Sequence, residues 1–345
     1  MSKVLVTGGA GFIGINLVLR LLRVGYEVVI LDNLSRKGTE NNLKLVKYNK
    51  NLKFYQTDIR DLKGIEQIFE EEKKFDAVFH FAGQVAVTTS VLNPRSDFEI
   101  NALGTFNILD LCRLKCPESK LIYASTNKVY GDLSSLNVLE NDKRYALSAR
   151  PGGISEDQNL DFHSPYGCSK GCADQYFIDY ARIYGLRTAV LRQSCIYGLY
   201  QYGIEDQGWV AWFAIAGILG KPITIYGNGK QIRDLLYIDD LVDLYTLLLK
   251  DEIELKGQVF NIGGGPDNSV SLIELLDLLK SEFNIGINVN YSSVRPGDQP
   301  YYVSNVCKIR EYCDWYPKTG VLDGLSKMIE WIRSNIEVVG KIAIS

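Results

Sequence analysis

Through its first 195 residues the chain alternates short apolar runs with longer stretches of helical spacing. Lys3–Thr7 reads as a short buried strand, and Asn16–Val24 carries apolar residues at the repeat of a helix. Glu27–Leu31 reads as a second strand, Lys53–Gln56 as a third and Asp76–Phe81 as a fourth. A helix over about Asp97–Leu114 comes next, then a fifth strand at Lys120–Ala124. Leu133–Leu160 is polar and irregular, and the expectation is a loop over a site. Ser164 suits a helix N-cap and Pro165 the first helical position, so a helix should start there. Thr188–Arg192 is a sixth strand. After Cys195 the rhythm changes: 197–207 is rich in Gly, Tyr and Gln, and Gly208–Trp212 opens another helix. Val259–Ile262, closed by Gly263-Gly-Gly265, reads as a strand returning to the main sheet. This pattern predicts an α/β protein with a doubly wound parallel sheet and a smaller, discontinuous α/β domain for substrate. The expected division gives residues 1–195 plus about 236–265 to the first domain, and about 196–235 plus 266–345 to the second.

Composition narrows the partners. With 345 residues, 46% of them apolar, the chain has ample material for a buried core and a prior of about two domains. A net charge of −3 gives no general attraction to nucleic acid or to an anionic membrane. The longest apolar stretch, Val210–Leu219, is too short to span a bilayer. Met-Ser-Lys leads straight into Val4-Leu5-Val6, so no signal peptide is expected. Seven scattered cysteines fit reduced thiols in a cytoplasm. Cys112/Cys116 and Cys168/Cys172 are each spaced four apart, but only His80 and His163 could add imidazole ligands. No metal is expected.

Candidate chemistry begins with Gly8-Gly-Ala-Gly-Phe12-Ile13-Gly14, set between a strand and a helix. Gly8 permits a tight turn, Gly11 lets backbone approach a pyrophosphate, and Gly14 lets the helix pack on the strand. The helix N-terminus then meets anionic phosphate. Asp32, at the end of the second strand, suits an adenosine ribose 2′-hydroxyl and would repel a 2′-phosphate. Arg36 nearby could accept such a phosphate, yet NAD is the expected cofactor over NADP. Asp58 and Ile59 are placed to meet the adenine edge, and Ala82-Gly83-Gln84 lets backbone pass close to the cofactor. Ser125 and Thr126 arrive at the C-terminal end of the fifth strand, where ligands of doubly wound sheets sit. Tyr166 and Lys170 are four apart on one helical face. A fixed ammonium beside a phenol favours the phenolate and could make Tyr166 a base near neutral pH.

Together these residues resemble the extended short-chain dehydrogenase/reductase family of nucleotide-sugar epimerases and dehydratases. The likeness spans essentially the whole chain, including Asn101, Gly229-Lys-Gln-Ile-Arg-Asp234 and Arg295-Pro-Gly-Asp298. It implies a Rossmann domain holding NAD through the residues above, with Asn33, Ser35 and Asn101 added. Thr126, Tyr166 and Lys170 would be catalytic, with Lys170 also bridging the nicotinamide ribose hydroxyls. Asn127, Gln193, Cys195, Gln207, Arg233 and Arg295, with Thr126, would contact a nucleotide-diphosphate sugar, the two arginines at the diphosphate. Asp32-Asn-Leu-Ser-Arg-Lys-Gly38, Ser125–Asp132, Leu160–Gly171 and Asp206-Gln-Gly-Trp-Val210 are similar to the branch that inverts C2 of a CDP-linked 3,6-dideoxyhexose.

Departures from the family pattern carry information too. Dehydratases place Asp-Glu after the catalytic threonine; here Asn127 and Lys128 stand there, which disfavours loss of water. Many 4-epimerases have Ala-Gly-Leu-Lys where this chain has Ala82-Gly-Gln-Val85. Cys195 stands where relatives often have asparagine, which weakens the carry-over there. Inversion at C4 of a UDP-hexose is the alternative activity, followed by dehydration and by a non-catalytic NAD-binding role. The resemblance also implies a homodimer or a dimer of dimers, paired through the helices at Asp97–Leu114 and Tyr166–Tyr184. The second helix offers apolar or aromatic Phe177, Ile178, Ala181 and Tyr184 at helical spacing, and part of that face is expected to cover its own sheet.

Overall fold

Seven strands form the central parallel sheet: β1 Lys3–Thr7, β2 Glu27–Leu31, β3 Leu52–Tyr55, β4 Ala77–His80, β5 Lys120–Thr126, β6 Arg187–Gln193 and β7 Gln258–Ile262. Their order across the sheet is β7-β6-β5-β4-β1-β2-β3. The computed structural model describes residues 2–147, 150–295 and 297–344. Ser148 and Ala149 of the expected loop and Pro296 of the Arg295–Asp298 motif lie outside the described residues. Val4, Leu5, Val6, Ile30, Phe79 and Ile122 are fully buried, as expected where helices cover both faces of a parallel sheet. The strand order reverses between β1 and β4, and such a switch point is where a ligand crevice opens beyond the strand C-termini.

Helix α1 spans Phe12–Arg23 and buries Ile15, Leu17, Val18 and Leu21, each worth about 1.5–3 kcal/mol against exposure. It ends in a Schellman motif: Gly25, at φ +91°, donates to Leu22 O, and Tyr26 donates to Leu21 O. Arg20 and Arg23 in its last turn oppose the helix dipole.

The helix expected at Asp97–Leu114 is present in three pieces, Pro94–Phe98, a π-helical turn at Glu99–Gly104, and Thr105–Lys115. The helix that carries Tyr166 and Lys170 spans Ser164–Tyr184. Ser164 Oγ accepts from Gly167 N at 3.2 Å, the capping bond its position foretold. Phe177 of this helix is buried in the core, stacked on Tyr123 with ring centroids 4.8 Å apart. It therefore cannot face a partner. Ile178 and Ala181 pack beside Gly257, and the exposed apolar groups are Tyr176, Ile183 and Tyr184.

The chain divides into two compact units. The first is Met1–Thr126, Ser164–Arg192 and Val242–Phe260; the second is Asn127–His163, Gln193–Leu241 and Asn261–Ser345. Residues 127–163, placed with the first domain by their sequence position, thus group with the second unit. The segment is also less loop-like than its polarity suggested. Leu139–Glu140 and Tyr145–Ala146 form a small antiparallel hairpin. Val129, Tyr130, Leu133, Leu147 and Ile154 bury themselves with Tyr302 in one apolar cluster.

In the second unit, Ile232–Tyr237 is the central strand. It pairs with Ser269–Ser271 antiparallel and with Cys195–Tyr197 and Tyr301–Tyr302 parallel. The apolar stretch after Gly208 forms the helix Trp209–Ile218, buried over Val210–Ala216 as a core element. Among the described residues no helix is long and apolar enough to cross a membrane.

Candidate active site

The glycine loop is shaped by close backbone contact. A Cβ on Gly8, at φ +69°, would lie 2.6 Å from Ala82 N, and one on Gly14 would lie 2.3 Å from Gly8 O. Gly8 therefore lets the segments after β1 and β4 meet, and Gly14 lets α1 start against the loop. Gly11 caps α1 without a side chain, leaving the first-turn amides of Phe12, Ile13 and Gly14 for a phosphate. The buried Asp32 carboxylate accepts from Ala10 N at 3.0 Å and Leu34 N at 2.8 Å, which ties the end of β2 to the loop. Burial pushes its pKa up, against the opposing backbone bonds. Each carboxylate oxygen has a second lone pair for a ribose hydroxyl.

Asn33 donates to Asp58 at 2.8 Å, while its own carbonyl oxygen accepts from Ser35 N. Asp58 is held at about 2 by hydrogen bonds and charge from Arg60. Ile59 differs from expectation: its side chain is buried against Gly104, so only its backbone is placed for a ligand.

Asn101, in the π-helical turn, is fully engaged by protein. It accepts from Gln84 N at 2.8 Å and donates to Gln84 O, Asp97 and Ser169. It braces the 82–84 segment, and a Cβ on Gly83 would lie 4.0 Å from Lys170 Nζ. Ser125 also turns inward, donating to Asp174 Oδ2 at 2.7 Å. Asp174 in turn forms a buried two-bond ion pair with Arg192, each bond 2.9 Å. These inward bonds are the geometry that sequence left out. The one signal was Asp174 itself, four residues after Lys170.

Tyr166 and Lys170 are both buried in the first unit, with Ser90 Oγ accepting from Tyr166 N. Thr126 hydrogen-bonds the Tyr166 phenol. Burial pushes the phenol up to about 12, with the Thr126 bond and the Arg36 charge pulling down and Asp97 pushing further up. Lys170 Nζ donates to Ala124 O at 2.7 Å and lies 4.3 Å from the Tyr123 ring centroid. Burial lowers Lys170 itself to about 7, with Asp174 and Asp97 resisting. Thr126 and Arg36 both favour the phenolate.

Apart from Thr126, the residues expected at the substrate belong to the second unit. Arg233 is buried, donating to Ile232 O at 2.7 Å and pairing with Asp298 Oδ1 at 2.7 Å. Lys128 donates to Gly297 O at 3.3 Å and lies 3.5 Å from the same Asp298 oxygen. Asn127 bonds to Gln299, whose fully buried amide also donates to Gly131 O at 2.6 Å. Cys195 accepts from Trp209 Nε1 at 3.3 Å, and burial raises its thiol pKa. Arg295 is separate from Arg233's carboxylate: it pairs with Asp206 at 3.2 Å and stacks 3.7 Å over Tyr226. Gln207 closes a tight turn with Ile204, and its buried Oε1 has no hydrogen-bond partner. Such an acceptor suits a ligand or water. Gln193 is buried at the end of β6.

His80 is buried between Thr7 and Thr105 hydroxyls and held neutral, at about 3. Potential ligand atoms of Asp132, Asp161 and His163 lie within 4.8 Å of one another, with His163 Nε2 3.3 Å from Asp161. All seven cysteines are free.

A doubly wound sheet with a glycine loop at its switch point, and Thr126, Tyr166 and Lys170 gathered at β5 and the helix Ser164–Tyr184, define a Rossmann-type dinucleotide-binding architecture. The chain belongs to the NAD dependent epimerase/dehydratase family, which matches residues 4–263. NAD is its cofactor. It is 45% identical over 337 residues to a CDP-paratose 2-epimerase of Salmonella typhi, covering 96% of this chain and 99% of the relative. A crystal structure of UDP-glucose 4-epimerase with UDP-glucose from Thermotoga maritima superposes with a TM-score of 0.82 at 32% identity, covering 97% of this chain and 99% of that one. A UDP-glucuronic acid 4-epimerase from Bacillus cereus, in complex with UDP-glucuronic acid and NAD, gives 0.82 at 27% identity, covering 96% and 99%.

Proposed function

We propose that this enzyme inverts C2 of CDP-paratose (CDP-3,6-dideoxyglucose) to give CDP-tyvelose through a 2-keto sugar. The observation that carries this reading is the 45% identity, over nearly the whole of both chains, to a CDP-paratose 2-epimerase. Asn127 and Lys128 support epimerisation over loss of water, because neither can act as a carboxyl acid.

The α1 amides, Asp32, the 82–84 segment and Lys170 would hold NAD, which supplies a reversible store for one hydride. Tyr166 takes the proton of the sugar hydroxyl and later returns it. Thr126 hydrogen-bonds the phenol and the reacting oxygen, and positive charge beside the phenol brings its pKa toward the working range. Arg233 and Arg295 grip the diphosphate, fixing the nucleotide while the sugar turns between the two halves of the reaction.

The test is isotopic. CDP-3,6-dideoxyglucose deuterated at C2 should yield the C2-inverted product with deuterium still at C2, and unlabelled substrate in heavy water should gain none. Solvent label at C2 rejects the redox cycle. Inversion confined to C4 of a UDP-hexose, with the CDP-sugar untouched, makes the enzyme a 4-epimerase.

We further propose a homodimer or dimer of dimers in the cytoplasm. Exposed Phe98, Leu103, Leu114, Tyr176, Ile183 and Tyr184, on the two helices expected to pair, support the first. The free thiols support the second.

A further inference from the structure

Within the second unit a buried arginine and a partly buried lysine share one carboxylate oxygen. Arg233 Nη2 lies 2.7 Å and Lys128 Nζ 3.5 Å from Asp298 Oδ1, and the two cationic side chains are only 9% and 20% exposed. Arg295 does not belong to this group, since it has its own carboxylate in Asp206. Two cations converge on one carboxylate oxygen in a poorly solvated place, where a further anion would meet both at once. The arrangement is also rigid. Asp298 is followed by the fully buried Gln299, whose amide is fastened to Gly131 O and bonded to Asn127. Lys128 is tied to the same loop through Gly297 O. A preorganised pair of cations fits a phosphate. Burial and the Arg233 charge both lower the Lys128 pKa, to about 8, while Asp298 resists them. An arriving anion would relieve that strain on the ammonium.

We propose that Lys128 is a substrate-binding residue that grips the sugar-side phosphate of the nucleotide diphosphate beside Arg233, with Asp298 holding the two cations together. This rests on the nucleotide-sugar reading above and adds to it a residue that had counted only as evidence against dehydration. The sugar-side phosphate is chosen because Lys128 follows Thr126 by only two residues, so the chain keeps it near the reacting sugar.

Calorimetry on the NAD-loaded protein tests it, with CDP, CMP, UDP and UMP as probes and wild type, Lys128→Gln and Lys128→Arg as proteins. Lys128→Gln should weaken the diphosphate by about tenfold or more, as loss of a charge-assisted contact does. The monophosphate should weaken much less, so the preference for diphosphate over monophosphate collapses. Lys128→Arg should keep that preference. A merely structural lysine would weaken CDP and CMP equally or lower the melting temperature with the preference intact, and either result overturns the proposal. Should Lys128→Gln not fold, Lys128→Met takes its place: collapse of the preference there supports the proposal, and retention overturns it. Collapse of a UDP-over-UMP preference in a protein that ignores CDP would uphold Lys128 and remove only the CDP assignment.

Discussion

The Gly8–Gly14 loop of the first unit offers a ligand its backbone, whereas the Lys128–Arg233–Asp298 cluster of the second offers side chains gathered from three distant segments. The loop needs missing side chains: a Cβ on Gly14 would strike Gly8 O at 2.3 Å. The cluster needs particular charges placed by Ile232–Tyr237 and by the loop that ends at Gln299. The loop's features all lie within seven residues, while the cluster spans positions 128 to 298. A backbone site tolerates little change in size, and a charged site little change in sign.

The largest effect should come from Tyr166→Phe, which removes the proton-transferring hydroxyl but little volume. Turnover should fall at least about a hundredfold, within the range for loss of a general acid–base group. Bound NAD and folding should survive, because neither region described above is altered. Near-normal turnover in a folded variant would reject Tyr166 as the base.

Next in size, the two regions should fail separately. Gly14→Ala should cost about 1–3 kcal/mol of stability by overpacking and strip NAD from the purified protein. Nucleotide diphosphate binding should be largely kept. Asp298→Ala should retain NAD and impair nucleotide diphosphate binding, since both cations lose the group that aligns them. Cofactor absorbance and calorimetry on the same samples read both properties. Loss of both ligands in each variant would mean the two regions do not act separately.

The smallest effect is in pH dependence. His80 falls from 6.5 unfolded to about 3 folded, and Lys128 from 10.5 to about 8. Each group gives up a proton on folding, so the unfolded chain binds more protons between the paired values and stability rises with pH there. The His80 contribution is thus fully present above its unfolded value and lost as pH falls from 6.5 toward 3. Urea midpoints near pH 5 and pH 7 should show it, and His80→Gln should flatten the difference. The Lys128 window lies between 8 and 10.5, where Lys128→Gln should flatten the rise instead. An unchanged acid slope in the His80 variant would assign the loss to other groups.

The first region was legible because its requirements are local. A strand, a glycine spacing, a helix and an acid at the end of the next strand constrain one another over about thirty residues. The Tyr166/Lys170 pair was legible for the same reason, through Ser164, Pro165 and the repeat of the helix. Inward-facing groups were harder to read. Asn101, Ser125 and Ile59 were placed at the cofactor by motif, yet their side chains are spent on Gln84, Asp174 and the core. Which part of the Phe177–Tyr184 face covers the sheet was not legible either; Phe177 is on that part.

The sequence by itself determined the parallel sheet, the nucleotide loop, the choice of NAD and the helix that carries Tyr166 and Lys170, since each follows from spacing along one short segment. Only the tertiary structure decided that Thr126 and Arg36 act on the phenol, and that Lys128 shares a carboxylate with Arg233. Charge, burial and hydrogen bonding depend on distances through space, and residues 128, 233 and 298 acquire theirs only when the strands between them have paired.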